Sequence, residues 1–197
     1  MLTTSNPYHD AKFRLWRQHS MSVPDTARHA ARSVVFEAYT ELGYNYRMTD
    51  IQAAVGRAQL KRLPEIVSRR REQARRYFKL LSSVHGLGLP VEPEWARSNW
   101  QSFCVRLPEG ADQRTVMQSM LDAGVATRRG IMCSHREPAY RDALRSCGAD
   151  GRRSDGRRQF PESEKAQDGA IILPLFHEMT ESAQDRVVAA LFGAIRE

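Results

Sequence analysis

Cysteine is scarce in this sequence. The three residues Cys104, Cys133 and Cys147 lie far apart, with no C-x-x-C pair. An odd set of scattered thiols suits a reducing cytoplasm better than a disulfide framework. Metal binding is not expected either, because Cys133 and His135 offer two ligands where zinc takes three or four. Long apolar runs are missing too: none approaches the ~20 residues of a membrane span. No basic–apolar–small-residue leader opens the sequence, so a cytoplasmic protein with no membrane partner is expected. The phosphate-cradling patterns G-x-x-x-x-G-K-[ST] and G-x-G-x-x-G do not occur, and neither does G-x-S-x-G. P-loop, dinucleotide-fold and nucleophile-elbow chemistry are set aside on that ground.

What is present suits one globular body with room for an appended segment: 197 residues, 41% hydrophobic and 27% charged. The net charge is +7 and arginine dominates it, with clusters at Arg69-Arg70-Arg71, Arg75-Arg76, Arg152-Arg153 and Arg157-Arg158. A basic face attracts anionic metabolites or nucleic acid. No zinc-finger spacing, ribonucleoprotein aromatic motif or heptad accompanies it, so a solvated helix face plus a basic loop is the expected reading and nucleic acid is not the expected partner.

Element by element, Leu2 to Thr4 reads as a strand end, Asp10 to Gln18 as a short amphipathic helix and His19 to Val34 as a loop. Gly43 to Asp50 packs two tyrosines, an amide and a guanidinium into an irregular stretch. Thr49 and Gln52 then form a T-x-x-Q capping box that opens a helix to about Lys61. Pro64 predicts the start of a second helix, to about Ser83, with arginines on its wet side. Strands are predicted over Asn99–Leu107, Val125–Arg129 and Ile171–Leu173, and helices over Asp112–Ala123, Pro138–Ser146 and from Thr180 onward. Cys147 to Pro161, rich in glycine and arginine, is expected to be mobile. The second half therefore reads as a small α+β layer.

Two groups of residues could carry chemistry. His135 sits at a strand–helix junction, where an imidazole can donate to an anion or shuttle a proton; a surface turn histidine is the alternative. Arg128 and Arg129 can hold a phosphate or carboxylate, or simply guard a strand edge with charge.

The block Gly43-Tyr44-Asn45-Tyr46-Arg47-Met48-Thr49-Asp50-Ile51-Gln52-Ala53-Ala54, with Gln59-Leu60 and Arg69-Arg70-Arg71 after it, resembles the DegT/DnrJ/EryC1/StrS family of pyridoxal-phosphate (PLP) sugar aminotransferases. His19-Ser20-Met21 resembles the family's His-Gly-Met, with Ser20 in place of glycine. Arg128 to Tyr140 resembles a strand followed by H-x-x-P-x-Y, and Ile172-Leu173-Pro174-Leu175 through Arg186 resembles the closing strand and helix. The likeness covers essentially the whole sequence.

The resemblance implies an α/β fold, the C-terminal part of a fold type I PLP transferase. Residues 1–62 would end the large domain, 63–94 would form a linking helix and 95–197 the small α+β domain. It implies transfer of an amino group, typically from glutamate, to a nucleotide-linked keto-sugar. Asn45 would bind the PLP phosphate across a homodimer interface; His135, Arg128 and Arg129 would bind substrate. The Schiff-base lysine of the family has no counterpart here, so no catalytic residue is assigned and the chain alone is expected to be inactive. Lys12 lies past the matching point and does not take that role. Other readings stay open: a binding or regulatory module using the arginine face, a partner subunit for a separate PLP domain, or a gene fragment.

Overall fold

Asn6 and Pro7 start the first helix, three residues ahead of the Asp10 predicted from apolar spacing. The Asn6 side chain accepts from the Tyr8 N–H at 2.9 Å, and Pro7 fills the first helical position, where no N–H is needed. The computed structural model describes residues 2–23, 25–140 and 160–196. It divides into two units, Met1–Lys61 and Arg62–Glu197. The first carries α1 (Pro7–Trp16) and α2 (Asp25–Ala30), the latter in a stretch predicted as loop. Leu2 to Thr4 form no strand. Among the described residues of this unit, Ser20 and Met21 are the buried ones, while Phe36 is 91% and Ile51 78% exposed.

The capping box forms as expected. The Thr49 hydroxyl accepts from the Gln52 N–H at 3.2 Å and the Gln52 amide oxygen accepts from the Thr49 N–H at 2.9 Å. The helix it opens does not stop at Lys61. α3 runs from Asp50 to Leu81 with Pro64 inside it, so the predicted helix pair is one helix. Proline removes one ladder bond and crowds the preceding turn, at about 3 kcal/mol. What outweighs that lies further along: α3 buries Gln73, Ala74, Tyr77 and Leu81.

Of the arginines of α3, Arg57, Arg62, Arg69 and Arg75 are exposed as the sequence reading expects, whereas Arg70, Arg71 and Arg76 are half-buried. Arg70 donates to the Trp100 and Gln101 carbonyls, both at 3.0 Å. Arg71 grips Glu92 with two bonds of 2.6 and 2.9 Å, and that guanidinium holds the Glu92 carboxyl below its ordinary range. Arg76 donates to both Asp185 oxygens at 2.8 and 3.0 Å. Forked donors of this kind bind planar acceptors in fixed geometry. They clamp the segment around Glu92 to Gln101 and the stretch around Asp185 onto α3.

The rest of the second unit is β1 (Phe103–Arg106), α4 (Gln113–Asp122), β2 (Arg128–Arg129), α5 (Pro161–Gly169), β3 (Ala170–Leu173) and α6 (Glu181–Ala194), with single 3₁₀ turns at Ser134–Arg136 and Pro138–Tyr140. The sheet order is β1-β3-β2, antiparallel throughout, so the described architecture is mixed helices with a small antiparallel sheet. β1 is shorter than predicted because Trp100 takes a left-handed backbone (φ 50°), which ends extended pairing. β2 keeps only the last two residues of its predicted span. Of the helix predicted over Pro138–Ser146, the described part is a 3₁₀ turn and the remainder lies outside the described residues. The predicted mobile stretch also lies outside them up to residue 159; Pro161 itself begins α5.

Strand alternation divides the sheet. Phe103, Val105, Ile171 and Leu173 share one face and are fully or almost fully buried. They pack with Tyr77 and Leu81 of α3, Met120 of α4 and Leu191 of α6 into one core. Thr180 caps α6 as predicted, accepting from the Ala183 N–H at 3.2 Å. Among the described residues no helix is long and apolar enough to cross a membrane.

Candidate functional site

In the first unit the Asn45 loop is stitched to the end of α1. The Tyr44 N–H donates to Trp16 O at 2.6 Å, the His19 N–H to Tyr44 O at 2.9 Å and the Tyr46 N–H to Arg17 O at 2.9 Å. Tyr44 and Tyr46 stack with centroids 5.2 Å apart and planes within 6°. Asn45, between them, is exposed, and its amide oxygen accepts from Arg47 Nε at 3.1 Å. With the oxygen engaged, the amide NH₂ is the end able to meet an anion. Glu41 ties the loop's approach to α1: it accepts from Trp16 Nε1 at 2.9 Å and pairs with Lys12. That pairing, foremost its hydrogen bond, raises the Lys12 ammonium and lowers the Glu41 carboxyl from their usual values.

The chain packs against this loop through His19 and Ser20, both left-handed at φ 62° and 57°. Ser20 is fully buried, and its hydroxyl has no hydrogen-bond partner among the described residues. A serine here carries about 1–2 kcal/mol of backbone strain and about 1–3 kcal/mol for the unpaired hydroxyl. Ser20→Gly removes both, less about 0.4–1 kcal/mol of added unfolded-state freedom. Urea unfolding of this unit should therefore shift to higher denaturant by an amount worth about 1–4 kcal/mol; a lower midpoint would show that the hydroxyl is satisfied.

In the second unit His135 lies in the 3₁₀ turn after β2. Its Nε2 is 3.0 Å from Glu164 Oε1 of α5, and its ring lies 4.9 Å from that of Phe160. The imidazole borders a cleft lined also by Cys104, Met132, Cys133 and Ser163. Partial burial raises the Cys104 thiol. Arg128 pairs opposite Ile172, itself opposite Cys104, whereas Arg129 pairs opposite Ile171. Alternation thus puts Arg128 on the face of Cys104 and Arg129 on the core face at the sheet edge. Arg129 donates to Glu137 at 3.2 Å. The two arginines, adjacent in sequence, are not side by side as ligands. Asn45 lies in the other unit.

Glu164, Gln167 and Phe160 are site residues that the sequence reading does not include. The signal was there: Pro161 at a helix start, with Glu162 and Glu164 in the first turn, is a helix N-terminus pattern. The four lysines are Lys12, already paired, and Lys61, Lys79 and Lys165, all exposed.

Residues 1–192 match the DegT/DnrJ/EryC1/StrS aminotransferase family. Among solved structures, the aminotransferase TlmJ from Streptoalloteichus hindustanus is 26% identical with a TM-score of 0.74, covering 98% of this chain and 46% of that one. DesV of S. venezuelae is 22% identical with a TM-score of 0.77, covering 99% of this chain and 46% of its own. The putative sugar aminotransferase Spr1654 from Streptococcus pneumoniae, in its PMP form, is 18% identical with a TM-score of 0.78, covering 98% of this chain and 47% of that one. The chain spans about half the length of these solved relatives.

Proposed function

The chain belongs to the DegT/DnrJ/EryC1/StrS aminotransferase family, and from that premise we propose that it forms the C-terminal portion of a PLP-dependent sugar aminotransferase. The reaction would carry an amino group, typically from glutamate, to a nucleotide-linked keto-sugar, in the cytoplasm and within a homodimer. The observation that carries this reading is a family match running through 192 residues of a chain about half as long as its relatives. Residues 1–62 would close the large domain, 63–94 the link and 95–197 the small domain. The bare apolar side chains of the first unit, Phe36 and Ile51 among them, agree with a surface that other protein covers.

The cofactor meets only part of its needs in these residues. Asn45 offers an amide donor to a phosphate, and in the proposed assembly it serves a neighbouring subunit. We assign no covalent anchor among these lysines: Lys12 is engaged by Glu41, and Lys61, Lys79 and Lys165 are exposed. PLP supplies the electron sink for amino transfer when bound; this stretch supplies a phosphate contact and substrate contacts. His135 and Arg128 would meet the sugar nucleotide, with Arg129 at the neighbouring edge.

Incubation of the purified chain with PLP, glutamate and a keto-sugar nucleotide should give no turnover, and borohydride should fix no cofactor mass onto it. A stoichiometric adduct on one lysine would overturn the assignment. The arginine face of α3 is smaller than its sequence suggests, because Arg70, Arg71 and Arg76 are committed to internal carbonyls and carboxylates, while Arg69 and Arg75 are exposed.

A further inference from the structure

Helix α5 turns one face onto one short turn. Glu164, Gln167 and Asp168 fall at i, i+3 and i+4, the spacing of neighbours on a helix surface. Glu164 meets His135 Nε2 at 3.0 Å. The Gln167 amide oxygen accepts from the Cys133 N–H, and Asp168 accepts from Arg136 at 2.6 Å. Three consecutive contacts thus lock the backbone and side chains of residues 133–136 to the same helix. α5 is itself anchored: Gln113 of α4 donates to the Gln167 carbonyl at 2.8 Å and the Ala170 carbonyl at 2.6 Å.

Within this clamp the His135–Glu164 pair is nearly closed to solvent, with side-chain exposures of 10% and 7%. Phe160 packs against the imidazole. The roles in this contact depend on the ring tautomer; a carboxylate can only accept, which favours the tautomer with its hydrogen on Nε2. Fixing one ring nitrogen as a donor fixes the role of the other.

We propose that Glu164 is a positioning residue for His135, holding Nε2 as a standing donor and leaving Nδ1 as the nitrogen that accepts a hydrogen bond or a proton from a substrate hydroxyl or amine. This rests on the reading of His135 as a substrate-binding group. When Nδ1 takes the proton, the substrate keeps the bonding pair. The resulting imidazolium faces the Glu164 carboxylate, and the proton returns by the same nitrogen. The turn and α5 together hold the ring's orientation, so the working nitrogen does not exchange places with the anchored one.

The test is a long-range proton–nitrogen correlation spectrum of the full chain with labelled histidine at about pH 8, above the ordinary imidazole range. The His135 signals are assigned by their loss in His135→Gln. We expect a protonated Nε2 whose hydrogen exchanges slowly, and an unprotonated Nδ1. In Glu164→Leu the slow hydrogen should vanish and the two nitrogens should move toward averaged tautomers. A protonated Nδ1 in the native chain, or an unchanged His135 pattern in Glu164→Leu, overturns the proposal. Should the leucine variant unfold, the native spectrum decides alone. Failure of the aminotransferase reading would leave this spectrum as expected, so the two are separable.

Discussion

Gly43→Ala is expected to dismantle the Asn45 loop. A Cβ at this position would lie 2.4 Å from both the His19 carbonyl carbon and the Ser20 nitrogen, and 2.8 Å from His19 Cα. These are backbone atoms, so no rotamer change relieves the overlap. Forcing extra volume into a tight site costs typically 1–3 kcal/mol and occasionally more; with three backbone atoms in the way, roughly 3 kcal/mol is a fair expectation. The obstructed segments are those stitched by the Tyr44–Trp16 and His19–Tyr44 backbone bonds, so separation breaks the attachment that presents Asn45. Amide exchange would report it: His19, Tyr44 and Tyr46 should lose protection while Val105 and Ile171 keep theirs. Gly56 in α3 is the control, since an added Cβ there meets nothing within 4 Å and alanine should favour the helix by about 0.5–1 kcal/mol. Equal behaviour of the two variants would mean that the close crossing at Gly43 does not exist.

Phe103→Ala should be the most damaging single truncation in the second unit. The ring is fully buried and sits among three others, with centroids 5.1 Å from Tyr77, 5.2 Å from Phe78 and 5.7 Å from Trp100. Deleting such a side chain costs about 3–5 kcal/mol, part lost transfer energy and part cavity. Against a total stability of about 5–15 kcal/mol for an ordinary domain, that brings the unit close to unfolding. Trp95, 88% exposed, provides the comparison: its replacement by alanine should stay within about 0.5 kcal/mol. Denaturant titration followed by far-ultraviolet dichroism measures both. A loss below about 1 kcal/mol at Phe103 would show that the aromatic cluster is loosely packed.

Features decided by a few adjacent residues were legible in the sequence. The Thr49–Gln52 capping box, the Thr180 cap and the strand at Ile171–Leu173 each depend on local chemistry, and each is where it was expected. Features decided by distant partners were not. Pro64 reads as a break, yet the helix continues through it and buries Ala74, Tyr77 and Leu81 beyond. The arginine run reads as solvent-facing; its acceptors, Glu92, Trp100, Gln101 and Asp185, are scattered up to 109 positions away. His135 could be suspected from its place after a strand. Its partner Glu164 lies 29 residues on, beyond a glycine- and arginine-rich stretch that drew attention away from the proline-led helix. Asn45 and its stacked tyrosines owe their early notice to one compact motif rather than to any long-range pattern.

The strand order has a consequence for how the chain comes off the ribosome. β1 and β2 are made early and do not pair with each other; both bond to β3, which lies between them and is the last strand among the described residues. Until Ala170–Leu173 has emerged, the buried face of β1 has only upstream partners, Tyr77, Phe78 and Trp100, and both outer strands lack their ladder partner in β3. Domains generally fold as units during synthesis, and unpaired strand edges invite misassociation while they wait. The central strand therefore works as a late-arriving keystone. Translation must pass residue 173 before the described β1-β3-β2 sheet can be complete, and a product ending earlier would leave β1 and β2 without the strand that joins them.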